Sequence, residues 1–298
     1  MSGFRHISVV WSRIIGLLVV VLASTLLQGC SAIKLAYNNA PELAYWWIDG
    51  YADLNDAQSL KVRDELARLQ QWHRTNELPR IAELLQRTRQ LALADTSPEQ
   101  VCNLFGEARK RIDAVTAQAE APTVAVALTL RAPQIAHMEA RFAKGNAEWQ
   151  TEWVAGTPAE RQARRLKSSV ERSEQFYGIL EERQLAVLRS AIAQSTFEPQ
   201  LSYAERLRRQ RDVLQALREA TTTPAPSPAQ ATALFRATLE RTISSPDPAY
   251  RSYAERAISD SCRTFAQLHN STTPEQRERA ARRLAAYERD ARELTLKP

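Results

Sequence analysis

Glycine is scarce in this chain, with 8 residues in a sequence of 298, whereas about 7% would be average. Tight hairpin turns depend on glycine because it adopts positive φ without steric cost, so this scarcity argues against a hairpin-rich fold. Ala, Arg, Leu, Glu and Gln dominate instead, and these are strong helix formers. No run of alternating β-branched residues resembles a strand. The sequence therefore predicts an all-α protein, either a multi-helix bundle or a helical array.

A strong excess of charge of one sign is also lacking. The formal net charge is +6 at pH 7, and the basic residues alternate with acidic ones along the predicted helices. Nucleic-acid binding requires a concentrated basic stripe, so we expect no nucleic-acid partner. Hydrophobic residues make up 44% and charged residues 25%, which is typical of a folded protein and excludes a disordered one.

Motifs of catalytic sites are missing as well. The sequence contains no Gly-x-Ser-x-Gly nucleophile motif, no phosphate-binding glycine loop and no His-Glu-x-x-His metal motif. His73 and Glu77 lie four residues apart and could hold a metal together, but a salt-bridged or capping pair is the favoured interpretation. We predict no catalytic residue, no metal and no cofactor. The sequence favours a non-enzymatic protein over an enzyme.

One uncharged apolar run, residues 14–27, stands near the start of the chain. It is shorter than the roughly 20 residues of a spanning helix, and it follows a segment that contains Arg5 and Arg13 but no acid. This order is typical of a secretory signal peptide. The alternative is an uncleaved N-terminal anchor.

The run ends in Leu27-Gln28-Gly29-Cys30, which resembles the lipobox of bacterial lipoproteins. The resemblance implies that a signal peptide of residues 1–29 is removed and that fatty acids such as palmitate are attached at Cys30. Two or three acyl chains give stable membrane attachment. Ser31 follows, and its resemblance to the enteric sorting rule implies an outer-membrane location facing the periplasm.

Helix-start signals recur along the rest of the sequence. In each signal a Ser or Thr caps free backbone N–H groups. A Pro follows at the first helical position, where the N–H that it lacks would have no partner within the helix. Gln or Glu comes two residues after the Pro. The pattern stands at 97–100, 157–160, 227–230 and 273–276, with Asp56 as a plainer N-cap. Apolar periodicity predicts helices over 41–52, 56–72, 76–94, 98–120, 123–154, 158–195, 200–221, 228–244, 248–270 and 274–295, with breaks or kinks at Pro122 and Pro133.

A Pro- and Thr-rich segment, residues 222–228, interrupts this helical pattern. It either links a main helical domain of residues 30–221 to a C-terminal helical unit of residues 229–298, or forms a surface loop within one domain. Both interpretations stay open on the sequence alone.

Cys102 and Cys262 are the two thiols that remain after processing. An even number of thiols in the oxidising periplasm indicates a disulfide, and two separate buried thiols are the alternative. Both cysteines flank apolar stripes that we expect to be buried, as a bridge between packed helices requires. These stripes contain Val101, Phe105, Ala108 and Ile112 beside Cys102, and Ile258 and Phe265 beside Cys262.

An aromatic block follows the proposed anchor and carries a family resemblance. Tyr-Asn-Asn-Ala at 37–40, Tyr-Trp-Trp at 45–47 and Asp-Leu-x-x-x-Gln at 53–58 precede Trp72-His73 and Glu77-Leu78-Pro79. These motifs resemble an uncharacterised family of Gram-negative helical lipoproteins. The resemblance implies a lipoprotein of unknown function, with no activity to carry over.

Four side chains of this block, Tyr45, Trp46, Trp47 and Tyr51, have three interpretations. They fill a core, they form a partner-binding groove, or they lie at the membrane surface near the lipid. Leu54-Asn-Asp-Ala-Gln58 is also similar to the Leu-Thr-x-x-Gln motif of small periplasmic helical chaperones, although a helix N-cap explains it as well.

The sequence thus predicts a membrane-anchored periplasmic lipoprotein that binds: a scaffold or chaperone-like factor with a protein partner in the envelope, held to the membrane by its N-terminal lipid. The alternative is an envelope hydrolase with an acidic active site. An enzyme needs a cleft with converging carboxylates, whereas a binding protein has an open apolar groove.

Overall fold

The computed structural model describes residues 32–222, 224 and 226–296. All regular secondary structure in these residues is helical, which confirms the all-α prediction. The predicted signal peptide, Cys30 and Ser31 lie outside the described residues. The helices are α1 (Ala32–Asn38), α2 (Ala40–Ala52), α3 (Asp56–Trp72), α4 (Leu78–Leu91), α5 (Pro98–Ala127), α6 (Ala132–Trp149), α7 (Pro158–Tyr177), α8 (Glu182–Ala193), α9 (Pro199–Ala220), α10 (Pro228–Ile243), α11 (Pro248–Asn270) and α12 (Pro274–Thr295), with π-helical segments at His73–Glu77 and Gln150–Val154.

The four predicted Ser/Thr-Pro helix starts are confirmed. Ser97, Thr157, Ser227 and Thr273 each accept a hydrogen bond from the backbone N–H three residues later, and the side chain at that position bonds back to the cap. At α3 the predicted cap was wrong by one residue, because Asn55 rather than Asp56 accepts from the N–H of Gln58.

Several predicted helix boundaries were wrong, and two of them have a clear physical reason. Pro122 lies inside α5, and the chain breaks only after Ala127. Buried Val124 keeps the helix packed past the proline, and this packing outweighs the single hydrogen bond that a proline removes. The predicted helix 158–195 is divided at Gly178, which ends α7 with a φ of 78°. That left-handed conformation favours glycine and terminates helices.

The described residues from Pro41 onward belong to one compact unit. Within it α12 packs along α4, and α11 packs along α5. Helices that follow segment 222–228 therefore pack against helices that precede it. None of the described helices combines the length and the apolarity that a membrane crossing requires.

Two pairs of glutamines join helix starts that are distant in sequence. The Gln58 and Gln134 side chains hydrogen bond to each other, and so do those of Gln184 and Gln276. Each glutamine also accepts the backbone N–H three residues earlier, at the start of its own helix. The Leu54–Gln58 motif therefore has a structural role, in which it caps α3 and fastens it to α6.

Candidate functional site

A groove of about 680 Å³ is lined by residues of α5, α7, α8, α11 and α12. Its volume falls within the range of roughly 300–1,000 Å³ of small-molecule sites. Helix α8 packs against both α7 and α11, so these three helices hold the groove together. Most of the lining is apolar, and its large side chains are Leu91, Leu104, Phe105, Trp153, Phe176, Leu188, Ile192, Phe197, Phe265, Leu268 and Leu284.

Phe105 and Phe265 form an aromatic pair in the lining of this groove. Their rings meet edge to face with centroids 6.2 Å apart, yet the two residues are 43% and 42% exposed. The prediction that the stripes beside the cysteines are buried is therefore wrong for these two phenylalanines. It is also wrong for Ala108, Ile112 and Ile258, which are exposed. The stripes begin in the core at buried Val101 and then run outward to the groove and the surface.

Cys102 and Cys262 join α5 to α11 through a disulfide with an S–S distance of 2.02 Å. Cys262 is fully buried and packs with Val101 and Ala266, which are buried as well. Val101 also belongs to the groove lining. The disulfide thus holds together two helices that carry the Phe105–Phe265 pair.

Tyr177 and His269 are buried in the lining and hydrogen bond to each other. The Tyr177 hydroxyl and His269 Nδ1 are 2.9 Å apart, and His269 Nε2 lies 2.9 Å from the carbonyl oxygen of Ala94. A carbonyl oxygen only accepts, so Nε2 carries the proton and Nδ1 accepts from the hydroxyl. Burial raises the pKa of Tyr177 to about 12 and lowers the pKa of His269. Both groups are neutral, and they fasten α11 to α7 and to the chain beyond α4.

Two cationic side chains of α7, Arg165 and Arg172, also line the groove. Arg165 is half-buried, donates to Ser195 Oγ at 2.8 Å and lies over the Phe197 ring at 4.6 Å. Arg172 donates to the Oγ atoms of Ser168 and Ser169 at 2.8 and 3.4 Å. The ion pairs found in the described part of the chain include neither guanidinium.

Asp260 is the one carboxylate among the described residues that line the groove. It accepts from Thr196 Oγ1 at 3.0 Å and pairs with Arg263 at 3.2 Å. Two converging carboxylates, which acid/base hydrolysis requires, are therefore not present in this lining.

The aromatic block does not form a single site, because its four side chains have different surroundings. Tyr45 is buried and donates to Ser59 Oγ at 3.0 Å, and half-buried Tyr51 packs on Phe142 with ring centroids 5.6 Å apart. Trp46 and Trp47 are 61% and 67% exposed. The core interpretation is therefore wrong for the two tryptophans.

Glu77 forms ion pairs with two arginines. Its carboxylate is fully buried and accepts from Arg80 at 2.7 Å and Arg111 at 3.3 Å. Burial lowers the pKa of His73, and the neighbouring Glu77 partly opposes that shift. In the part of the chain that the structure describes, no group of three or more potential metal ligands occurs.

The chain matches the model of a known family. The model of a family of unknown function, DUF6279, covers residues 50–227, more than half of the chain. The chain belongs to this family. No curated protein and no solved structure matches it. The DUF6279 segment contains α5, α7 and α8 of the groove, whereas α11 and α12 follow it in the sequence.

Arg165 and Arg172 were not among the predicted site residues, because arginines on a charged helix are normally solvated. A signal was present in the neighbouring Ser168, Ser169 and Ser173. Short hydroxyl side chains on one helix face leave space beside the arginines that long side chains would fill. That pattern is not decisive until the groove is known.

Proposed function

We propose that this protein is a lipid-anchored protein of the bacterial cell envelope that binds an apolar ligand in the groove and is not an enzyme. The observation that carries the proposal is the partly exposed Phe105–Phe265 pair in an apolar groove. Exposed aromatic side chains in a concave surface favour ligand binding, since a ligand removes them from water. Asp260, the one carboxylate among the lining residues that the structure describes, is already paired with Arg263.

A neutral fluorescent probe, N-phenyl-1-naphthylamine, tests binding in the groove. We expect the full chain in phosphatidylcholine nanodiscs to bind it more strongly than nanodiscs alone. Ser261→Trp should weaken that binding at least tenfold, because Ser261 is an exposed lining residue and an indole there fills the groove. Gln267→Trp is the matched control, since Gln267 is exposed on the same helix but does not line the groove. Equal binding by both variants would contradict the proposal.

The lipid anchor at Cys30 is the second part of the proposal. It is supported by the lipobox resemblance of residues 27–30, and Ser31 favours the outer membrane, facing the periplasm. Cells fed a clickable palmitate analogue should label the wild-type chain and Cys102→Ala but not Cys30→Ala. Labelling of Cys30→Ala, or its retention in the membrane through residues 14–27, would refute the anchor.

We propose that a protein partner in the envelope contacts the exposed indoles of Trp46 and Trp47. Leu43 lies on the same face of α2 and is also exposed, and large aromatic side chains are favoured in binding hot spots. A photo-crosslinking residue at position 47 should capture a protein. Capture of lipid alone would assign this face to the membrane instead.

A further inference from the structure

One face of α7 combines two arginines with three serines, at positions 165, 168, 169, 172 and 173. All five side chains line the groove. Arg172 reaches back along the helix to Ser168 and Ser169, and therefore towards Arg165. The groove thus has a cationic, hydroxyl-rich border beside apolar side chains.

Arg165 is a half-buried cation that donates to the hydroxyl of Ser195 and lies over the ring of Phe197. Burial lowers its pKa, which means that its surroundings penalise the charge. A guanidinium forms its strongest hydrogen bonds with a carboxylate, which it can bind through two parallel N–H donors. Among the described lining residues the one acid is Asp260, and it is already paired with Arg263.

The remainder of the lining suits a hydrocarbon chain. Phe176, on the same helix as the arginines, lines the groove together with Leu188, Ile192, Phe105 and Phe265. The groove is not a closed cavity, because both Phe105 and Phe265 are partly exposed. Each methylene buried in such surroundings strengthens binding by about fourfold.

We propose that the groove binds a long-chain fatty acid, with its carboxylate held by Arg165 and Arg172 and its chain against the phenylalanines. This inference rests on the proposed function of ligand binding in the groove. It adds the chemical class of the ligand, which is an anionic head on a single apolar chain.

The test uses a palmitate analogue with a diazirine in its chain, added to the full chain in phosphatidylcholine nanodiscs and mapped by mass spectrometry after illumination. We expect labelled peptides in α5, α7 or α11. Palmitate should compete at least tenfold better than hexadecanol, which has the same chain without the charge, and better than octanoate, which has the charge on a shorter chain. This comparison uses the wild-type protein and needs no variant to fold.

Substitutions of the two arginines test whether their side chains bind the carboxylate of the fatty acid. Arg165→Gln with Arg172→Gln should reduce labelling at least tenfold, as expected for losing charge-assisted hydrogen bonds, whereas Arg165→Lys should retain most of it. Lys167→Gln with Arg183→Gln removes the same charge from residues outside the lining and should have no effect. Circular dichroism melts check that each variant is folded.

Three outcomes would overturn the inference: labelling outside the groove, equal competition by palmitate and hexadecanol, or an effect of the control pair as large as that of the groove pair. If the neutral naphthylamine still binds in those cases, ligand binding in the groove stands and only the fatty acid is wrong. If neither the naphthylamine nor palmitate binds, the proposed function fails as well.

Discussion

Gln58 and Gln134 donate to each other, with Nε2 to Oε1 distances of 3.3 and 2.8 Å. Gln184 and Gln276 repeat the arrangement at 2.6 and 3.0 Å. Each side-chain amide therefore makes two kinds of hydrogen bond. It accepts from a backbone N–H at the start of its own helix, and it bonds to the glutamine of a helix that is distant in sequence. These pairs join α3 to α6 and α8 to α12, and the second pair lies between two helices that contribute to the groove.

Changing Gln134→Glu tests how much such a pair stabilises the fold. Glutamate keeps the cap acceptor but has no N–H for the Ala52, Asp53 and Gln58 oxygens that Gln134 now contacts. We expect the free energy of unfolding to fall by about 3 kcal/mol, since a buried charge would face those acceptors. Urea denaturation measures the change.

The matched control is Gln230→Glu. Gln230 occupies the same capping position in α10 but is exposed, and Glu160 already performs that role in α7. We expect a change of no more than about 0.5 kcal/mol. Similar losses in both variants would show that the cap itself, and not the glutamine pair, is responsible.

His269 should make stability depend on pH near neutrality. Burial lowers its pKa below the ordinary value of 6.5 in the folded protein, so the unfolded chain binds the proton first. Stability is therefore complete above pH 6.5 and decreases as the pH falls below it, by at most about 1.4 kcal/mol per pH unit for one group.

The measurement for this prediction is the unfolding free energy between pH 7.5 and 5.5. His73 contributes in the same direction, because burial also lowers its pKa. His269→Asn should be less stable at pH 7.5 and show a shallower decline than wild type. An unchanged slope would mean that His269 does not titrate on unfolding.

Reduction of the Cys102–Cys262 disulfide should destabilise the protein. The bridge closes a loop across a sequence separation of 160, and disulfides typically contribute about 2–4 kcal/mol. We expect dithiothreitol to lower the melting temperature of wild type but not of the double variant Cys102→Ala with Cys262→Ala. Alkylation of both thiols in protein taken directly from cells would contradict the prediction.

The tryptophans and Tyr45 should differ in their effect on stability. Tyr45→Ala removes a buried ring and its hydrogen bond to Ser59, at a cost of about 3 kcal/mol. Trp46→Ala and Trp47→Ala remove exposed side chains and should each cost less than about 1 kcal/mol. Thermal melts of the three variants measure these losses. A large loss of stability in either tryptophan variant would show that this tryptophan is part of the core.

Local interactions explain which parts of the fold could be predicted. Caps such as Ser97 and Thr273 depend on residues within one turn, so the sequence shows them directly. The continuation of α5 through Pro122 depends on tertiary packing, which outweighs local preference. Each step along a helix turns the side chain by about 100°. Tyr45 and Trp47 are two steps apart and therefore point in nearly opposite directions, so different surroundings could have been expected for them.

The groove could not be predicted in the same way. Its lining includes Phe105, Arg165 and Phe265, which are far apart in the sequence and meet only after α5, α7 and α11 have packed. Periodicity shows that Phe105 and Phe265 lie on apolar faces, but it does not distinguish a face that meets the core from one that meets a groove. That distinction depends on which neighbouring helix arrives beside it.

The disulfide also has a consequence for the order of events during biosynthesis. Ribosomes make Cys102 long before Cys262, with a sequence separation of 160, so the first thiol waits unpaired until nearly the whole chain exists. An unfinished or stalled chain that ends before residue 262 cannot form this pair. A molecule whose Cys102 is bridged to Cys262 has therefore been synthesised at least to residue 262. A thiol-reactive label applied during a pulse-chase would separate bridged copies from copies whose Cys102 is still unpaired.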